Sequence, residues 1–414
     1  MQVCLPFGEN DSFELELADA AVIGVYTGGV GNEPLRDPAG ALTRALAQPL
    51  DFPPLCRALV PGDRVVLAVD GTVPQLSRMV ERIVLALLSA NVEPADVTLL
   101  VSERPRRLFQ DPRSALPPGV REAIAICRHD PAQEDRLGYL ATTAGGQRIY
   151  LNRCLVEADF VVPVARMGFD PLLGYRSATG ALFPGFSDEP TIKRLQRRLP
   201  TPAVRADAEV IRRETEEVSW LLGLQFAVEV LDGGGDRVID VCAGALDSLA
   251  QRVPRVVDNQ WQINVDAQAE TVVASINGGA SGASFADFGS ALEAATAAVK
   301  PGGRVLLLAQ VSGPLQAGMQ WIVEAEEPND VLPLLHRHRP DDCVAAYQLA
   351  AAVKKAKVYW LSGLDGNQVE DLFMVPVESA AEAQRVVKDA ETCLFLGNAH
   401  RMCVAANDRN ESHG

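Results

Sequence analysis

The stretch Asp63-Arg64-Val65-Val66-Leu67-Ala68-Val69-Asp70-Gly71-Thr72-Val73-Pro74 decides the fold class. Five consecutive apolar residues, Val65 to Val69, are what a strand buried on both faces requires, because an alternating strand would put every second residue in water. The polar turn Asp70 to Pro74 follows, and then Gln75 to Ala90 carries apolar residues at helical spacing. The same order recurs with Val97 to Val101 ahead of Ser102-Glu103-Arg104-Pro105, and with Ala158 to Val164 ahead of a glycine-rich segment. Buried strands alternating with helices predict a doubly wound α/β domain whose ligands bind at the carboxyl ends of the strands. The turns after Val69, Val101 and Val164 are therefore expected to line one cleft.

The second half repeats the alternation. Strands are expected over 225–231 and 237–241, joined by the hairpin signal Asp232-Gly233-Gly234-Gly235-Asp236. Strands over 271–276, 304–309 and 358–361 then alternate with helices over 285–300, 344–355 and 380–389. A charged segment over 193–217, with Pro200 and Pro202, reads as an interdomain helix and linker. The expected organisation is an α/β domain over 1–217 ending in that linker helix, a second α/β domain over 218–414, mostly parallel or mixed sheets, and a cleft between the domains.

Composition narrows the function classes. The 414 residues suit two or three globular domains. With 38 Lys+Arg against 54 Asp+Glu and a formal charge of −16, there is no basic field to hold a nucleic acid. The amino terminus lacks a cationic start followed by an apolar core, and no apolar run reaches the roughly 18 residues of a membrane span, so neither secretion nor membrane insertion is expected. A cytoplasmic location is the expectation, and the sequence leaves oligomer formation open. Eight scattered cysteines form no C-x-x-C pair, which suggests neither a zinc site nor a disulfide framework. The five histidines, His129, His336, His338, His400 and His413, leave little stock for imidazole chemistry, and no metal ligands are assigned. Gly28-Gly29-Val30-Gly31 reads as a turn, because no helix start follows it.

Three loops pair polar residues with predicted strand ends. Asp70 and Thr72 suit either a polar ligand or the cap of the following helix. Ser102-Glu103-Arg104 suits either a site loop or a solvated one with Arg106 and Arg107. The third runs from Met167 to Gly185. Its glycines at 168, 174, 180 and 185 allow close backbone approach, and Arg176, Ser177 and Thr179 could bond phosphate or carboxylate, although a structural crossing loop would look similar.

Several short motifs, in order along nearly the whole chain, resemble the nickel-pincer-dependent lactate racemases and their 2-hydroxy-acid racemase and epimerase relatives. They are Asp51-Phe52-Pro53-Pro54-Leu55, Val69-Asp70-Gly71-Thr72-Val73-Pro74, Asn152 to Asp159, Gly174-Tyr175-Arg176-Ser177, Pro184-Gly185, Ala291-Leu292 and Val299-Lys300-Pro301-Gly302-Gly303. The resemblance implies two α/β domains and a pyridinium-derived nucleotide that binds nickel, takes hydride from the substrate and is tethered by a lysine. It also implies two histidines that exchange the hydroxyl proton from opposite faces, a histidine on nickel and an arginine on the substrate carboxylate.

Set against that pattern, Asp70 and Thr72 match an Asp-x-Thr-Arg turn whose arginine position holds Val73. Glu103-Arg104 stands where a His-Arg pair is expected, and Asp170 where the second catalytic histidine is expected. Gly180 occupies the position of the tethering lysine, and Gln196 lies near that of the nickel-binding histidine. A Gln-x-x-Lys pair falls loosely on Asp287 and Ser290. The leading expectation is a divergent relative without the nickel machinery that binds a small anionic ligand such as a hydroxy acid or a nucleotide, with no cofactor. One alternative is an active racemase or epimerase. It would use Asp70, Glu103 and Asp170 for proton transfer, with a nickel-pincer nucleotide held non-covalently by Thr72, Gly174, Arg176, Ser177 and Thr179. The other alternative is an interaction subunit without a ligand.

Overall fold

The computed structural model describes residues 1–29, 32–102, 111–279, 282–311 and 313–406. They form two compact units. One comprises Met1–Asn32, Arg197–Thr201 and Asp258–Gly414, and the other Glu33–Gln196 and Pro202–Val257. This differs from the expected single boundary at residue 217, for a reason that lies in strand pairing. Val22–Tyr26 pairs in parallel with Cys393–Gly397, which ties the amino terminus to the last strands of the chain. Phe226–Asp232 pairs in parallel with Phe160–Asp170, which returns the chain beyond 217 to the sheet begun by Val65–Val69. Local patterning identifies a strand but carries no signal for so distant a partner.

The unit holding Asp70 is built on a seven-stranded sheet. Its strand order is Val238–Ala245, Phe226–Asp232, Phe160–Asp170, Val65–Val69, Val97–Ser102 and Ala125–His129, with Gly174–Arg176 paired to Phe160–Asp170. Val65–Val69 is central and fully buried, as its unbroken apolar run requires. Successive side chains point to opposite faces. Val65, Leu67 and Val69 accordingly pack with Met79, Val80, Ile83, Val84 and Leu87 of helix Leu76–Ser89. Val66 and Ala68 join Leu182, Phe183, Phe186, Ile211 and Val218 on the other face. The hairpin of Phe226–Asp232 and Val238–Ala245 forms as expected, with Gly234 and Gly235 in the left-handed region.

Two expectations are corrected. The strand expected to end at Val164 runs on to Asp170, because Gly168, Phe169 and Asp170 pair antiparallel with Arg176, Tyr175 and Gly174. The turn that reverses the chain is held by the Asp170 carboxylate, whose Oδ1 accepts the N–H groups of Leu172 and Leu173, both at 2.8 Å. The charged segment over 193–217, expected as one interdomain helix and linker, holds two helices, Pro202–Ala206 and Ala208–Leu221. Helix Ala208–Leu221 buries Ile211, Thr215, Val218 and Ser219, one stripe at helical spacing, within the unit that holds Asp70.

The other unit carries a six-stranded, wholly parallel sheet ordered Val375–Val377, Lys357–Leu361, Val299–Leu308, Ala269–Ser275, Cys393–Gly397 and Val22–Tyr26. Helix Phe285–Ala298 is started by a reciprocal cap between Ser284 and Asp287. No helix among the described residues is long and apolar enough to cross a membrane.

Candidate functional site

Asp70 follows the last residue of the central strand, and its backbone N–H bonds the Val164 carbonyl of the neighbouring strand at 2.9 Å. That bond holds the Asp70 side chain over the carboxyl ends of the parallel strands. Its Oδ1 accepts both the Thr72 N–H, at 2.9 Å, and the Thr72 hydroxyl, at 2.7 Å. Its Oδ2 accepts Nη2–H of Arg176 at 2.8 Å. Thr72 Oγ1 in turn accepts from Nε of Arg166, at 3.2 Å. Arg166 completes the chain of contacts with Nη1 at 3.6 Å from Oδ2 of Asp232, the last residue of strand Phe226–Asp232. Asp232 also accepts the Gly234 N–H at 2.6 Å.

Two arginines thus face two carboxylates, and three of the four are deeply buried. Side-chain exposure is 6% for Asp70, 9% for Arg166 and 2% for Asp232, against 32% for Arg176, which forms the solvent edge. Burying a charge is tolerable only when it is paired and its hydrogen bonds are made, and here each carboxylate has both. Burial would push the Asp70 carboxyl up. The Arg176 and Arg166 guanidiniums and the two bonds from Thr72 outweigh it, leaving Asp70 at about 2. At neutral pH Asp70 is a fixed anion.

A second buried carboxyl lies beneath the neighbouring segment. Ser177 precedes the short helix Ala178–Leu182, and its hydroxyl meets that of Thr179 at 3.0 Å. The Ala178 N–H donates to Oε1 of Glu229 at 2.9 Å, while Glu229 Oε2 is buried without a hydrogen-bond partner among the described residues. Burial lifts Glu229 to about 7, opposed only by the bond from Ala178.

Of the residues singled out from the sequence, Asp70, Thr72 and Arg176 meet in one cluster. Ser177 and Thr179 follow Arg176 and bond each other. Asp170 and Gly174 close the preceding turn, Gly174 with a φ of +83°. Glu103 lies outside the described residues. Arg166, Asp232 and Glu229 were not among the assigned site residues. Asp232 reads as hairpin punctuation, and the one available signal for Glu229 was a carboxylate inside the apolar run Phe226-Ala227-Val228-Glu229-Val230-Leu231.

The positions set by the family resemblance are occupied as follows. A Cβ added at Gly180 would have Ser177 Oγ, at 3.9 Å, as its nearest neighbour within 4 Å among the described residues. Gln196 ends helix Glu189–Leu195. Asp287 bonds the Ser284 N–H and hydroxyl and lies 3.4 Å from Arg401, and the Ser290 hydroxyl donates to the Ala286 carbonyl. His129 is buried, with Nε2 at 3.0 Å from the Ser187 carbonyl and Nδ1 at 3.3 Å from the Asn152 amide. His336 and His338 lie in the last turn of helix Leu332–His338, and His400 lies in the turn Ala399–Arg401. Among the described residues no group of three or more His, Cys, Asp or Glu side chains is placed to hold a metal ion.

Comparison with known proteins matches residues 7–201 to the lactate racemase N-terminal domain. A lactate racemase from Thermoanaerobacterium thermosaccharolyticum is 20% identical over 401 residues, covering 93% of each chain. The structure of the lactate racemase apoprotein from the same organism superposes with a TM-score of 0.80 over 98% of this chain and 100% of that one, at 19% identity. A crystal structure of a protein from Thermotoga maritima superposes with a TM-score of 0.64 over 89% of this chain and 97% of that one, at 11% identity. The amino-terminal segment is thus matched to the lactate racemase N-terminal domain, and the whole chain is lactate-racemase-like in fold.

Proposed function

We propose that this chain binds a small carboxylate, of the 2-hydroxy-acid type, and does so without a tethered nickel-pincer nucleotide. The observation that carries the reading is the state of Asp70, locked as an anion between Arg176 and Arg166. A group held at about 2 does not shuttle protons at neutral pH, because the acid form is almost unpopulated there. Asp70 instead orients Arg176, whose partly exposed guanidinium is the cation at the rim that suits a carboxylate. The cluster already balances two cations with two anions, so a bound carboxylate gains directed hydrogen bonds more than net attraction, and weak binding is expected.

The residues at hand do not fit the family's cofactor. Gly180 has no amine with which to form a covalent link, and Gln196 offers an amide where an imidazole would bind nickel. Asp170 is spent on two backbone N–H groups. No step is therefore assigned to that group. Localisation in the cytoplasm is part of the same proposal, supported by the scattered cysteines, whose thiols suit a reducing compartment.

The test has two arms. Thermal unfolding of the full chain with D- and L-lactate and longer 2-hydroxy acids should show a rising midpoint, since a ligand that binds only the native state must stabilise it, and Arg176→Gln should abolish the rise. Protein co-expressed with the cofactor-synthesis genes should contain no stoichiometric nickel and no added covalent mass. Nickel, a covalent adduct or α-hydrogen exchange in deuterated water would overturn the reading in favour of an active racemase. No shift with any acid would leave an interaction subunit.

A further inference from the structure

Cys127 and Cys154 are far apart in sequence and belong to no recognisable cysteine motif, yet they share one anchor. Cys127 lies on strand Ala125–His129 and Cys154 in the first turn of helix Arg153–Val156. The Asn152 side chain is almost wholly buried, and its Oδ1 accepts the Cys154 N–H at 3.0 Å and lies 3.7 Å from the Cys127 sulfur. The Asn152 amide is itself fixed by His129, whose other nitrogen bonds the Ser187 carbonyl. Both cysteines pack against the apolar cluster that contains Ile149, Leu151 and Leu155, and both remain partly exposed.

We propose that Cys127 and Cys154 form a dithiol redox site that closes reversibly to a disulfide on exchange with a low-molecular-weight disulfide. The thiolate of Cys127 attacks one sulfur of the reagent, breaking its S–S bond and releasing one thiolate. Cys154 then gives up its proton and attacks the Cys127 sulfur, forming the Cys127–Cys154 bond and releasing the second thiolate. The protein loses two electrons and two protons, and the reagent gains them as two thiols. The order of attack follows from the local chemistry. The neighbouring Cys154 thiol, with Arg136 and Asn152, holds Cys127 below the ordinary thiol value despite burial. The Cys127 sulfur beside it and burial push the Cys154 thiol up, so Cys154 is the resolving group.

Incubating the native full-length chain with oxidised glutathione, quenching in acid and mapping peptides should give a Cys127–Cys154 linked peptide, two thiols fewer than the eight of the sequence, and full recovery with dithiothreitol. Cys154→Ser should instead accumulate a glutathione adduct on Cys127, and Cys127→Ser should leave Cys154 largely unmodified. Both thiols still reduced, a stable glutathione adduct on Cys127 of the unsubstituted chain, or links scattered over the exposed Cys4, Cys56 and Cys403 would each overturn the proposal. Should a variant fail to fold, peptide mapping of the unsubstituted chain separates these outcomes by itself.

Discussion

Replacing Glu229 by Gln should stabilise the protein by about 3 kcal/mol at pH 8 and by less than about 1 kcal/mol at pH 5. Glu229 is 2% exposed, one oxygen accepts the Ala178 N–H and the other has no hydrogen-bond partner among the described residues. Its carboxyl moves from an ordinary value of 4.5 to about 7 on folding. Between those values the native state binds more protons than the unfolded chain, so stability falls as pH rises through that window and is level above it. The loss is about 3 kcal/mol, from roughly 1.4 kcal/mol for each pH unit separating the two values. Glutamine keeps the oxygen that accepts from Ala178 and resembles the protonated acid in shape, so it removes the pH-dependent part alone. Urea unfolding of both proteins at pH 5, 6, 7 and 8 measures the difference, in which other titrating groups cancel. Cys242, directly across the hairpin from Glu229, is pushed to about 12 by burial and by Glu229 itself, and so does not titrate in this range. A difference that stays constant with pH, or a variant less stable than the parent at pH 8, would refute the reasoning.

The opposite sign is expected at Asp70. Its carboxyl is held down, so its contribution is present above the ordinary value of 3.8 and is lost as pH falls toward about 2. Asp70→Ala would leave Arg166 and Arg176 without that partner and should cost about 3–5 kcal/mol at neutral pH, read from the urea midpoint. At Gly180, where a Cβ would have Ser177 Oγ at 3.9 Å as its nearest neighbour among the described residues, Gly180→Lys should be accommodated within about 1 kcal/mol, because a helical glycine gains from a straight-chain replacement. A thermal midpoint many degrees lower would show that the segment has no room for a lysine.

The strand over 65–69 was legible because burial on both faces demands an unbroken apolar run, and those over 97–102 and 226–232 because their apolar runs are broken internally only by Thr98 and by Glu229. The reach of Phe160–Asp170 beyond Val164 was not legible. It depends on the antiparallel return of Gly174–Arg176, and glycine-rich sequence reads equally well as loop. In the cluster, Asp70, Thr72 and Arg176 could be chosen from their places after strand ends and in the family motifs. Arg166 could be named only as a cation near the cleft, with Arg104 and Arg176, and Asp232 only as hairpin punctuation, since each lies inside or at the end of a strand where periodicity predicts only orientation. Glu229 shows the same limit, because an acidic residue in an apolar strand has no visible partner until the strand is packed.

The sequence by itself determined the α/β class, the order of most strands and helices, the family likeness and the residues standing at the family's functional positions. All of these follow from local spacing or from identity at a position. The tertiary structure decided which strands share a sheet, that the chain divides discontinuously into two units, and that Asp70 is an anion held by two arginines. It also decided that Glu229 titrates near neutrality and that Cys127 and Cys154 share Asn152. Each of these rests on contacts between residues tens or hundreds of positions apart, and on how much water remains around them, and neither quantity is written in any window of the chain.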